Sequence, residues 1–187
     1  MNKPGITREK VEELLKQYKV DLAARKVCFV VIEGYFLDTM GKKGKNDIGI
    51  YDDAGVWISS DGGFATFNLN TDPSRYYPNV ATLDYGVWEY KKGKHGISKP
   101  GGGYDAFRQA KAVFVRRWQP DGSFKRVPLG DTINIHKGGA TGTSSAGCQT
   151  FPPNQWEAGR AYGYMLLSRL GVKTFPLLKV KNDGSIA

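Results

Sequence analysis

The sequence predicts a single, mostly β (α+β) domain with two helices. Glycine is abundant, at 24 of 187 residues, as in folds with many tight turns. Short runs rich in β-branched and aromatic residues recur between turns rich in Gly, Asp and Pro. Strands do not alternate with helices, and no repeat or linker is evident, so we expect one domain over residues 1–187 rather than a βαβ fold.

The two helices are predicted near the ends of the chain. In the segment 7–22, apolar residues fall at i, i+3, i+4, i+7 and i+11, which is one face of a helix, and Thr7 can cap its N-terminus. We expect this N-terminal region, residues 1–25, to pack on the main domain. A second helix is predicted over residues 154–170, after two prolines and before Gly171.

Eight segments have the composition of strands. They are VCFVVIEGYFL (27–37), VWIS (56–59), FATFNL (64–69), VWEY (87–90), AVFVRRW (112–118), FKRVPL (124–129), TINIH (132–136) and TFPLLKV (174–180). Two long loops, 38–55 and 91–105, separate some of them. For the acidic residues and Tyr51 of the first loop, we favour a solvated turn over a substrate contact.

Charge and composition limit the classes of function. The net charge is +9, which favours polyanionic partners such as nucleic acid, anionic lipid or an acidic cell wall. No apolar run is long enough for a transmembrane helix, and the first residues do not resemble a secretory signal. We therefore expect synthesis in the cytoplasm and, for any role outside it, export by other means.

Several kinds of site are disfavoured. GKKGK (41–45) lacks Walker A spacing, and GGGYDAF (101–107) is not within a βαβ unit as a dinucleotide fingerprint would be. A structural zinc site needs about four ligands, and the chain has only two His and two Cys, with Cys28 in a predicted buried strand. We predict no metal, and the sequence does not support a Cys28–Cys148 disulfide.

The segment HKGGATGTSSAGCQT (136–150) holds one histidine and one cysteine. Alternation in the preceding strand directs Ile133 and Ile135 to the core and His136 to the other face. Gly147 permits a tight turn before the Cys148 thiol, where successive N–H groups can converge as in an oxyanion hole. An imidazole can take the thiol proton. The residues alone favour this site and an incidental loop cysteine about equally.

A family resemblance adds to this interpretation. The Ile-His pair, the Gly/Ser/Thr-rich spacer and SAGCQT resemble the signature of the L,D-transpeptidase catalytic domain (the YkuD-type family). Phrases such as FNLNTDPS and HGISKP resemble a phage- and prophage-encoded branch of it. The resemblance implies a YkuD-like β-sandwich or barrel of mixed sheets with a helix after the catalytic cysteine. It also implies Cys148 as nucleophile, His136 as general base and no cofactor.

The same resemblance implies supporting residues. Ser145 matches the family serine, and the backbone N–H groups from Ser145 to Cys148 would form the oxyanion hole. Ala146 stands where a histidine is usual, and Gln149 is among the residues that replace the usual arginine. With His95, the other histidine, these two positions are our candidates for substrate contact. Such departures leave transpeptidation and hydrolysis equally compatible with the sequence.

The expected function is cysteine-dependent acyl transfer on peptidoglycan stem peptides. Without an export signal, we expect delivery to the periplasm or cell wall by a lysis or injection apparatus, as for a prophage lysis enzyme or an antibacterial effector with its immunity protein. Two other classes compete. One is a non-catalytic cell-wall-binding or phage structural protein. The other is a basic nucleic-acid-binding module, for which no RNP, KH or zinc-knuckle motif is present.

Overall fold

A computed structural model describes residues 2–130 and 132–186, which contain three helices and eleven strands. The helices are α1 (Arg8–Gln17), α2 (Leu22–Arg25) and α3 (Pro153–Arg169). The strands are β1 (Val27–Glu33), β2 (Asp53–Ser59), β3 (Phe64–Leu69), β4 (Ala81–Leu83), β5 (Gly86–His95), β6 (Tyr104–Gln109), β7 (Val113–Trp118), β8 (Phe124–Leu129), β9 (Ile135–Lys137), β10 (Gln149–Phe151) and β11 (Thr174–Lys181). The predicted mostly β fold with an early and a late helix is confirmed.

The predicted N-terminal helix is interrupted. Thr7 caps α1 as expected, because its hydroxyl accepts the Lys10 N–H at 3.3 Å. Helix α1 ends at Gln17, because Lys19 adopts a positive φ of 56°. The chain then enters the short helix α2, which Asp21 caps. No helix in the described part of the chain is long and apolar enough to span a membrane.

Eight strands form one mixed sheet in the order β10-β9-β6-β5-β11-β1-β2-β3. The pairs β1–β11 and β9–β10 are parallel, and the other neighbours are antiparallel. The two edges of the sheet meet, because Asn70, just after β3, exchanges two backbone hydrogen bonds with Thr150 of β10, at 2.9 and 2.8 Å. The sheet therefore nearly closes into a barrel. Strands β4, β7 and β8 form a second, antiparallel sheet.

Strand β1 divides the core in two, because both its faces are buried. Its odd-numbered residues, such as Phe29, pack in one cluster with α3 and the second sheet. Its even-numbered residues, such as Cys28, pack in another cluster against α1, as predicted for the N-terminal region. Cys28 and Cys148 are both buried and unbridged.

Tyr51, Asp52 and Asp53, at the end of the first long loop and the start of β2, are buried, so the prediction of a solvated turn is wrong for these three residues. The Asp53 carboxylate accepts the N–H groups of Gly34 (2.5 Å) and Thr71 (2.6 Å), which ties the loops after β1 and β3 together. Burial raises the pKa of Asp53 well above its usual range. Nearby Glu33 forms a buried ion pair with Lys179 at 2.7 Å. No group of three or more His, Cys, Asp or Glu in the described residues could hold a metal ion.

Helix α3 packs closely on the aromatic core through glycine. A Cβ atom at Gly163 would overlap the Trp57 ring and lie 2.8 Å from Phe107 Cζ. We expect Gly163→Ala to lower the free energy of unfolding by about 1–3 kcal/mol, although alanine is normally the better helix former. The reciprocal change Ala161→Gly, at an exposed position of the same helix, should cost about 0.5–1 kcal/mol through helix propensity alone. Denaturant titration measures both, and a more stable Gly163→Ala protein would contradict this packing.

Candidate active site

The parallel pairing of β9 and β10 places the predicted nucleophile and base on the same face of the sheet. The register pairs Gln149 with Ile135 and Thr150 with His136. Paired residues of parallel strands share a face, and successive residues alternate. Ile135 lies in the core as predicted. His136 is therefore on the opposite face, and Cys148 comes just before β10 on that face.

Two backbone groups of the segment before β9 hold the thiol. The Asn134 N–H donates to Cys148 Sγ at 3.4 Å, and the thiol donates to the Thr132 carbonyl at 3.3 Å. Burial raises the pKa of Cys148 to about 11. The sulfur is thus a buried, neutral thiol at rest. Within the described residues it has no hydrogen bond to the His136 ring.

The glycine-rich loop between the two residues is anchored rather than free. The Tyr51 hydroxyl donates to the Gly139 carbonyl at 2.7 Å. Ser74 forms three bonds to the same loop: its hydroxyl lies 2.7 Å from that of Thr143 and accepts the Ser145 N–H at 2.8 Å, and its N–H donates to the Ser145 carbonyl at 2.8 Å. These contacts tie the loop to Tyr51 and Ser74, which are distant in the sequence.

Ser145 and Gly147 shape the turn that carries the thiol. The Ser145 hydroxyl accepts the Gly147 N–H at 3.0 Å and donates to the Cys148 carbonyl at 2.8 Å. Gly147 has a φ of 114°, and its Cα lies so close to the Ala81 carbonyl that a Cβ would overlap that oxygen. Glycine is required here on both grounds. Ser145 therefore supports the nucleophile through the backbone.

The predicted oxyanion hole is only partly available. The N–H groups of Ser145 and Gly147 already donate to serine hydroxyls. The N–H groups of Ala146 and Cys148 take part in no hydrogen bond within the described residues, and Ala146 is exposed at the turn. These two remain as donors for a developing oxyanion.

The hydrogen bonds of His136 determine where its proton lies. Its Nδ1 is 2.7 Å from the Lys137 carbonyl, which can only accept, so Nδ1 carries the proton and Nε2 the lone pair. The Tyr104 hydroxyl lies 3.4 Å from the same nitrogen. Burial, reinforced by repulsion from His95, lowers the pKa of His136 to about 4. The imidazole is neutral at pH 7 and can act as a base.

His95 lies directly on His136. The two rings stack with centroids 3.7 Å apart and an angle of 14° between their planes. The Asn134 amide donates to His95 Nδ1 at 3.1 Å, so the proton of this ring is on Nε2. Burial, followed by repulsion from Lys99 and Arg108, lowers the pKa of His95. The structure thus brings the two histidines together in opposite tautomers.

Gln149 is the predicted site residue that the structure places elsewhere. It is fully buried, on the core face of β10 with Ile135, and its amide lies 3.4 Å from the Gly147 carbonyl. This position leaves no surface for the expected substrate contact. Conversely, Asn134 was not predicted as a site residue, although its alternation with His136 in TINIH could have indicated it. Tyr51 and Ser74 carried no such signal.

A groove of about 600 Å³ opens beside the thiol-binding backbone. His95, Ile97, Lys99, Arg108, Thr132 and Asn134 line it. We call this the basic groove, because its charged lining residues among those described are all cationic. Thr132 and Asn134, which line the groove, are also the residues whose backbone groups contact Cys148 Sγ.

Comparisons with known proteins do not identify a family. No protein-family model matches the chain, and no curated protein or solved structure is significantly similar to it. The resemblance to L,D-transpeptidases therefore rests on the residues of the sequence alone. The arrangement of Cys148, His136 and His95 rests on the geometry described above.

We expect Gly147→Ala to disrupt the site. The added Cβ must displace the Ala81 carbonyl or the turn, so the free energy of unfolding should fall by about 2 kcal/mol or more. Gly142→Ala is the matched control, because a Cβ at Gly142 in the same loop meets open space; it should change stability by less than about 0.5 kcal/mol. Thermal and denaturant unfolding compare the two. Equal effects would contradict the close packing of Gly147.

Thiol alkylation tests the resting protonation state. Because the pKa of Cys148 is raised to about 11, its thiolate fraction at pH 7 is lower than in the unfolded chain. Iodoacetamide should react roughly 100-fold more slowly with folded than with unfolded protein, and the rate should rise about tenfold per pH unit above 7. Peptide mapping separates Cys148 from buried Cys28. A fast rate independent of pH near neutrality would instead indicate a thiolate–imidazolium pair.

Proposed function

We propose that this protein is a cysteine-dependent acyl-transfer enzyme that acts on peptidoglycan stem peptides. One observation carries the proposal. Cys148, just before β10, and His136 of the adjacent parallel strand β9 are on the same face of the sheet, and the His136 lone pair is on Nε2. A thiol and a neutral imidazole are the two groups that this kind of nucleophilic catalysis requires.

The chemistry follows from these two groups. The thiol proton passes to His136 Nε2 as Sγ attacks a stem-peptide carbonyl, and the N–H groups of Ala146 and Cys148 face the developing oxyanion. The imidazolium then gives its proton to the leaving amine, and a thioester to Cys148 remains. Water or another amine then attacks the thioester and gives a proton to His136. The C–S bond breaks, and the imidazolium returns that proton to Cys148 Sγ, which regenerates the thiol. Water yields hydrolysis and an amine yields a cross-link.

In the resting site the thiol proton stays on Cys148 and is not transferred to His136. Because burial raises the pKa of the thiol to about 11 and lowers that of the imidazole to about 4, transfer of the thiol proton to the imidazole is strongly disfavoured in the resting protein. We therefore propose that proton transfer accompanies attack on the carbonyl rather than preceding it. Substrate in the groove would displace water and place the carbonyl where the forming S–C bond drives the transfer.

Two further features support peptidoglycan as the substrate. The segment from His136 to Cys148 resembles the signature of an L,D-transpeptidase family, as described above. The net charge of +9 suits an anionic cell wall. The site of action that we propose is accordingly the periplasm or cell wall.

Digestion of purified muropeptides, analysed by mass spectrometry, tests the proposal. The wild-type protein should produce loss of a terminal residue, cleavage of a cross-bridge or formation of a dimer, each with its own mass. Cys148→Ala should abolish the product, and loss of the base in His136→Asn should slow it by about 10²- to 10⁴-fold.

Thr141→Ala is the control, because Thr141 is exposed on the same loop and should leave the rate unchanged. A peptide adduct on Cys148 in the intact protein would identify the thioester directly. If no product or adduct depends on Cys148, the protein is not this enzyme.

A further inference from the structure

The basic groove lies next to the residues that hold the sulfur atom. Thr132 and Asn134 line it, and the backbone groups of these two residues are the ones that hold Cys148 Sγ. A molecule in the groove would therefore lie one residue away from Cys148.

The groove is positively charged on the side facing the histidines. Lys99 and Arg108 line it and lie close enough to His95 for repulsion to lower the pKa of that ring. The charge of Lys99 also reaches His136. Lys99 is exposed, in the turn that joins β5 to β6. No carboxylate lines the groove among the residues that the structure describes.

His95 adds a neutral donor to the same wall. Because Asn134 donates to its Nδ1, the half-buried ring carries its proton on Nε2. Nε2–H has no hydrogen bond within the described residues. Cations together with an N–H donor are the groups that bind carboxylates in proteins.

We infer that the basic groove binds a free carboxylate of the peptide substrate, and that Lys99 makes the enzyme select carboxylate-bearing peptides over their carboxamides. The inference rests on the proposed function, because it names the substrate class of the same site. A carboxylate fits the observations better than a nucleic acid does, since the groove lies next to the residues that hold the proposed nucleophile, and no Phe, Tyr or Trp ring on which bases could stack lines it among the described residues.

Binding to the Cys148→Ala protein tests this without turnover. The probes are a stem tetrapeptide with its free carboxylates and two mono-amides, one at the C-terminal D-alanine and one at the diamino acid. Calorimetry should show that one of the two mono-amides binds about 3- to 10-fold more weakly than the peptide with both carboxylates free. The position of the amide in that weaker peptide identifies the carboxylate that the groove binds. The preference should shrink as salt rises, because the contact is solvent-accessible.

Lys99→Gln, introduced into the same Cys148→Ala background, should remove this preference by weakening the carboxylate form about 3- to 10-fold and leaving the mono-amide unchanged. Lys125→Gln, at an exposed lysine of β8 in the second sheet, is the matched control and should retain the preference. The inference is overturned if both amides bind as tightly as the acid, if the two lysine variants behave alike, or if a short oligonucleotide binds in a Lys99-dependent manner and the peptide does not.

This outcome is separable from that of the proposed function. Muropeptide turnover without discrimination between acid and amide would contradict the carboxylate site alone. Lys99-dependent carboxylate binding with no Cys148-dependent product would contradict the enzymatic function alone.

Discussion

The parallel pairing of β9 with β10 is the interaction on which the candidate site depends. Strand β10 has only three residues, so its pairing with β9 alone would fix the position of the thiol poorly. The other edge of β10 is held by the backbone of Asn70. Asn70 precedes Thr71, whose N–H is bound by the buried Asp53 carboxylate. A continuous set of hydrogen bonds thus runs from the buried acidic groups to the strand that follows Cys148. The hydrogen bonds between Asn70 and Thr150 that close the barrel also hold the strand that positions Cys148.

Local pattern placed strands β3 and β8 with the predicted bounds, because alternation and side-chain type carry that information along the chain. The predicted loop 91–105 is wrong at both ends, since β5 continues to His95 and β6 begins at Tyr104, and the first predicted strand ends at Glu33 rather than residue 37. Strands β4 and β10 were not predicted, since three residues are too few for a periodic signal and their pairing comes from distant segments. Strand β6 follows three glycines, which indicated only a loop. The break after α1 depends on the positive φ of Lys19, which no residue type there required.

The residues of the candidate site could be proposed more readily from the sequence than the contacts that hold them in place. Cys148 and His136 could be proposed from residue type and alternation. The stacking of His95 on His136 could not, because the hairpin β5–β6 must first lie beside β9, and that adjacency is a property of the sheet order. Tyr51 and Ser74 anchor the loop although they lie 88 and 71 positions before the loop residues that they contact. Neither contact therefore leaves a local signal in the sequence. Gln149 shows the reverse error: proximity to the nucleophile in sequence suggested a substrate contact, but strand alternation turns its side chain into the core.

The protonation states of the site and the charge of the groove are connected. Burial keeps thiol and imidazole neutral, and the nearby Lys99 cation further disfavours an imidazolium at His136. A substrate carboxylate placed against Lys99 would oppose that repulsion and so raise the pKa of His136 somewhat, although burial and the neighbouring His95 lower that pKa more than Lys99 does. The group that binds the substrate would then also strengthen the base, and the cost of moving the thiol proton to Nε2 would fall only when the groove is occupied. On this account the resting protein keeps an unreactive thiol, and reactivity is coupled to recognition of the peptide rather than built permanently into the cysteine.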